Sequence, residues 1–138
     1  MNRPGADRFG LAPSLDDMAA VAEAAFAELP AAFRKLTGEV LFRVEDFAED
    51  AVLDELGLED AFELTGLYQG VDLTRRSVFD APAGAPIVFL YRRPILDEWA
   101  ERGDVALEEL VAHVLVHEIG HHFGLSDADI DSIEAGRR

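Results

Sequence analysis

His117-Glu118-Ile119-Gly120-His121-His122-Phe123-Gly124-Leu125-Ser126-Asp127 is the stretch that decides how the chain is read. Two histidines four apart on a helix lie on one face, about one turn apart, so the rings of His117 and His121 can point at one ion. Glu118 lies about 100° round the helix from His117. From there its carboxylate can reach a water on the ion without binding the ion itself. The spacing H-E-x-x-H is that of a zinc site with a built-in base. A catalytic zinc also needs a third protein ligand and an open fourth position. Gly124 can end the helix in a left-handed turn, and the chain can then fold back so that Asp127 approaches the ion. The site read from these residues is His117, His121, Asp127 and one water. Three of the chain's four histidines fall between residues 117 and 122. A chance H-E-x-x-H is expected in fewer than about one chain of this size in a hundred. The competing reading is a buried helix whose histidines are satisfied by hydrogen bonds.

The neighbours of the motif have rival roles. Asp127 or Ser126 could cap a final helix, and then Asp129, Asp131 or Glu134 could be the third ligand. A carboxylate has two oxygens, so capping and ligation by Asp127 are compatible. His113 stands four residues before His117. From His113 to His121 the helix spans about 12 Å, too far for both to share one ion at ~2.1 Å bonds. His113 is therefore read as a buried neutral histidine or the partner of a ligand. His122 points about 140° from His117 and is read as a packing residue.

Working outward, the helix that carries the motif is expected to start at Asp104 as N-cap, with Glu108 and Glu109 near its positive end. Leu107, Leu110, Val111, Val114, Leu115 and Ile119 form one broad apolar face, and Ala112, Val116 and Phe123 cover much of the rest. A helix apolar nearly all round is a central one. Before it, Ser14 reads as the N-cap of a helix running to Leu29, with Asp17 in a capping-box place and Pro30 as its stop. Phe33 and Leu36 form a helical turn closed by Gly38. Val40, Phe42 and Val44 alternate with Leu41 and Arg43 as a strand. Ala48 to Leu56 is a short helix ended by Gly57. The acidic cluster Glu45, Asp46, Glu49 and Asp50 suits a solvated helix start better than a metal site. Leu64 to Leu73 reads as a strand with a tight bend, Thr74 to Pro86 as a loop, and Ile87 to Tyr91 as a strand. Ile95 to Glu101 is a short helix after Pro94, and Ala128 to Glu134 a final one. Met1 to Pro13 is a loose arm.

The chain has 138 residues, 49% of them hydrophobic, which is enough for one domain with a real core. Its formal charge of −16 argues against nucleic acid or an anionic membrane as partner. Cysteine is absent, which excludes disulfides and thiolate ligands. No run is long enough for a transmembrane helix, and the start has no apolar stretch of signal-peptide length, so a cytoplasmic protein is expected.

H-E-x-x-H-x-x-G-x-x-D resembles the motif of the zincin metallopeptidases, in the variant with aspartate as third ligand. The chain is similar to small, acidic, single-domain bacterial members of that group from about Leu15 to the end. The likeness includes Leu29-Pro30, Val44-Glu45-Asp46, Gly66-Leu67-Tyr68-Gln69-Gly70 and the run from Ile87 to Leu96. Methionine occurs only at Met1 and Met18, so no Met-turn follows the motif, and the usual third histidine is absent.

The resemblance implies an α/β (α+β) fold of minimal zincin type, with a small mixed sheet packed on a central metal-binding helix and further helices. Residues 14–138 would form that domain and residues 1–13 a flexible arm. It implies Zn2+ on His117, His121 and Asp127, Glu118 as general base, and a peptide or protein as substrate. Zincins place an edge strand antiparallel to the bound peptide. Ile87 to Tyr91 is the candidate, with a buried strand free of substrate contact as the alternative. Tyr91, Arg92, Arg93 and Tyr68 are candidates to stabilise an oxyanion, against ordinary roles as surface arginines and core tyrosines. A zinc-stabilised binding or regulatory domain with little or no peptidase activity is the rival. Glu118 argues against it, since a structural zinc is closed by four ligands and needs no base. A zinc nuclease is disfavoured by the acidic charge.

Overall fold

The computed structural model describes residues 12–70 and 85–136. The expected arm lies outside these up to residue 11, and the expected loop at Thr74 to Pro86 lies outside them up to residue 84. The described elements are α1 (Leu15–Ala27), α2 (Ala31–Thr37), β1 (Leu41–Glu45), α3 (Asp50–Leu56), a 3-10 turn (Ala61–Glu63), β2 (Gly66–Gln69), β3 (Ile87–Tyr91), α4 (Arg92–Arg102), α5 (Leu107–His122) and α6 (Asp127–Gly136). They form a small α/β fold in which helices pack against a three-stranded mixed sheet. No described helix is long and apolar enough to cross a membrane.

Strand order is β1-β3-β2, with β1 parallel and β2 antiparallel to β3. Side chains alternate across a sheet, so the register sorts them into two faces. Phe42, Val44, Val88, Leu90, Gly66 and Tyr68 share one face. It packs on Met18, Ala22 and Ala25 of α1 and on the apolar residues of α5 to form the main core. The other face carries Leu67, Phe89 and Tyr91, which join Ala48, Leu53 and Leu64 in a second, smaller cluster.

α1 starts as its sequence dictates. The Ser14 hydroxyl accepts the Asp17 N–H at 3.0 Å, and the Asp17 carboxylate accepts the Ser14 N–H at 2.9 Å, a complete capping box. β3 passes directly into α4, which begins at Arg92 rather than after Pro94. Pro94 is tolerated there because first-turn N–H groups have no partner within the helix.

α5 is the central helix. Leu110, Val111, Ala112, Val114, Leu115, Val116, Ile119 and Gly120 are all buried. Its N-cap is Ala106, without a side-chain cap, and not Asp104. The preceding turn is tied instead by the Trp99 indole, which donates to the Val105 carbonyl at 2.7 Å. Glu108 and Glu109 occupy the first turn as expected. Phe123 departs from the apolar pattern. It lies past the last helical residue, is exposed, and packs beside the rings of Tyr68 and His122.

Candidate metal centre

Three of the histidines on α5 fall on a single stripe. His113, His117 and His121 are successive i, i+4 positions and therefore stack one turn apart on the same face. Ring centroids are 4.0 Å apart for His113 and His117, and 5.6 Å for His117 and His121.

The helix ends where Gly124 was expected to end it, with Gly124 at φ 76°. The Leu125 N–H donates to the Gly120 carbonyl at 2.9 Å and the Gly124 N–H to that of His121 at 3.1 Å. This pair of bonds reverses the chain and satisfies the last carbonyls. The reversal lays α6 back along α5. Contact is close because position 120 is glycine: a Cβ there would lie 3.0 Å from Ile130 Cγ1, and Ile130 is fully buried.

α6 is capped by Ser126, whose hydroxyl accepts the Asp129 N–H at 3.1 Å while Asp129 accepts the Ser126 N–H at 3.2 Å. Capping therefore falls to Ser126 and Asp129, and the Asp127 carboxylate remains available. Asp127 Oδ1 lies 3.7 Å from His121 Nε2, with side-chain exposures of 93% and 56%. This end of the stripe is open to solvent.

One turn deeper the arrangement differs. Glu134 bonds His113, with Oε1 2.8 Å from Nδ1, and its Oε2 lies 3.6 Å from His117 Nε2. Among the described residues, His113, His117 and Glu134 are the group of three whose ligand atoms all lie within 4.8 Å of one another. The sequence pointed to Glu134 only as one of three substitutes for Asp127. Its signal was the spacing: Glu134 is seven residues after Asp127 on α6, facing two turns of histidines on α5.

Both carboxylates thus approach the stripe, and His117 lies between them. A set of imidazole nitrogens and carboxylate oxygens suits zinc. His117 Nε2 is buried with no hydrogen-bond partner, which costs about 1–3 kcal/mol for a polar atom left unsatisfied. A cation at that nitrogen would satisfy it. Burial raises the Glu118 carboxyl above the usual carboxylate range, and His121 pulls in the opposite direction.

The four candidates for oxyanion stabilisation separate cleanly. Tyr91 belongs to the sheet face turned away from α5 and packs with Leu53 and Leu64. Burial, with Glu45 and Glu49 nearby, pushes its hydroxyl up to about 12. Arg92 donates to the Pro13 carbonyl and pairs with Asp46 at 3.0 Å. Arg93 sits over the Phe47 ring, 5.7 Å from its centre. These two arginines hold the chain entry and the turn after β1. Only Tyr68 of the four lies at α5, edge-on to His122 with centroids 4.6 Å apart, and burial raises its hydroxyl too. His122 has the packing role expected of it.

β3 is the middle strand, paired on both sides, so Ile87 to Tyr91 cannot be the edge that receives a peptide. Its apolar run reflects burial between two neighbours rather than an exposed rim. Among the described residues the edges are β1 and β2, and β2 carries Tyr68 to the end of α5.

Comparison with curated proteins gives no match. The family model of the zincin-like metallopeptidases matches residues 37–137, which include both β-edges, the histidine stripe and the returning helix α6. The match covers most of the chain, and the protein belongs to the zincin-like metallopeptidase family.

Proposed function

We propose that this protein is a zinc-dependent peptidase in which His117, His121 and Asp127 hold the ion and Glu118 is the general base. The observation that carries the reading is the turn at Gly124. It joins α5 to α6 so that Asp127 stands 3.7 Å from His121 on the solvent-open side, one helical turn from His117, whose Nε2 has no hydrogen-bond partner. Bound there, zinc would acidify a water molecule and polarise the scissile carbonyl. Glu118 takes the proton from the attacking water and passes it to the leaving amine. The edge of β2 offers main-chain groups to an extended peptide, and Tyr68 fixes that strand against His122. A net charge of −16 fits a peptide substrate better than a nucleic acid.

The test is zinc-loaded protein on a mixed peptide library, beside a chelated control and Glu118→Gln. The variant should keep its zinc and lose hydrolysis by at least about a hundredfold. An active Glu118→Gln protein would remove Glu118 from the mechanism. A zinc-loaded wild type that cleaves nothing would favour a zinc-stabilised binding or regulatory domain.

A further inference from the structure

α5 presents three histidines at two consecutive i, i+4 spacings, and α6 presents two carboxylates seven residues apart. The reversal at Gly124 runs the two helices past each other, so Asp127 meets His121 at one end and Glu134 meets His113 at the other. His117 lies between the two pairs on α5, with its Nε2 3.6 Å from Glu134 Oε2. We infer that the two helices carry a second cation position, made by His113, His117 and Glu134, which competes with the outer one for the same ion.

The inner group has what a zinc site requires. Its two imidazoles have the same i, i+4 spacing as the outer pair, and their ring centres are closer, 4.0 Å against 5.6 Å. Glu134 reaches both rings, one oxygen to each. His117 Nε2, the atom with no hydrogen-bond partner, has Glu134 Oε2 3.6 Å away. Tetrahedral bonds of ~2.1 Å place ligand atoms about 3.4 Å apart, so small rotations of these side chains close the site. Its side chains are also more sheltered: Glu134 is 25% exposed where Asp127 is 93% exposed.

The two positions exclude each other. A single His117 Nε2 binds one ion, so zinc held by Glu134 and His113 is withdrawn from His121 and Asp127. The chain then takes one zinc, not two, and the inner position is a resting place for it. The inference rests on the proposed function only in naming His121 and Asp127 as the outer ligands.

The experiment is chelator competition with Zn2+ alone, on full-length wild type, His121→Ala, Glu134→Gln and the double variant His121→Ala/Glu134→Gln. Circular dichroism and melting confirm that each is folded. Wild type binds one zinc per chain. His121→Ala still binds one zinc, at least tenfold more weakly, and addition of zinc shifts the ring resonances of His113 in its NMR spectrum. The double variant loses at least a further tenfold, whereas Glu134→Gln alone changes affinity by less than tenfold. Loss of all zinc from His121→Ala would overturn the inference, as would equal binding by His121→Ala and the double variant. Should Glu134→Gln fail to fold, His113→Gln takes its place, since glutamine can still donate to Glu134 but is a poor zinc ligand. None of these outcomes depends on hydrolysis, so an inactive wild type would defeat the peptidase reading and leave this test intact.

Discussion

Replacing Ile130 with alanine tests whether α6 delivers the metal ligands. The Ile130 side chain is fully buried, and its Cγ1 and Cδ1 would lie 3.0 and 3.1 Å from a Cβ at Gly120. It is thus the peg that seats α6 against bare helix backbone. Asp127 lies three residues before it and Glu134 four after, on the same helix face. Alanine removes three buried carbons at ~0.8 kcal/mol each in transfer, about 2.4 kcal/mol. The hole left beside Gly120 brings the cost to about 3 kcal/mol. α6 is the last described element, so the loss falls mainly on the docking of this helix. With a tenfold change for every ~1.4 kcal/mol, the docked fraction and the zinc affinity fall by up to about a hundredfold.

The assay pairs chelator competition for zinc with amide hydrogen exchange. Exchange should quicken along α6 while α1 and β3 keep their protection. Faster exchange in α6 with zinc affinity within twofold of wild type would refute the idea that α6 supplies a ligand. Unchanged exchange would refute the role of Ile130 as its anchor.

Asp127→Ala should weaken zinc binding at least tenfold and abolish peptide hydrolysis; unchanged affinity in the same competition assay would remove Asp127 from the ligand set. Ser126→Ala breaks the capping box with Asp129 and should lower the urea-unfolding free energy by about 1 kcal/mol, a loss that should not appear if the cap contributes nothing. Tyr91 provides a pH prediction, because its hydroxyl is raised from the usual 10.0 to about 12. The fold favours the neutral phenol, so its contribution is fully present below about pH 10 and is lost as pH rises toward about 12. Tyr91→Phe should flatten the fall in stability over that window, and an equally steep fall in the variant would show that Tyr91 is not its source.

Local chemistry left clear marks in the chain. Ser14 with Asp17 fixed the start of α1, the glycines at 57 and 124 fixed two helix ends, and H-E-x-x-H at residues 117–121 fixed a histidine pair on one face. Each of these follows from hydrogen bonds or sterics within a few residues. Helix starts without such a signal were misplaced. Ala106 has no capping side chain, whereas nearby Asp104 carries the residue type of an N-cap. Pro94 reads as a boundary in the sequence, yet it sits inside the first turn of α4.

Sequence alone determined the central helix, the presence of a small sheet and the one-face spacing of the histidines, because periodicity and side-chain spacing are local properties. Only the tertiary structure decided that β3 is the middle strand, since an apolar run looks the same at an edge as between two neighbours. Only the tertiary structure paired Glu134 with His113 and sent Tyr91, Arg92 and Arg93 to other duties. Those pairings depend on how α6 returns along α5 and on which sheet face meets the helices, and no short stretch of chain encodes either.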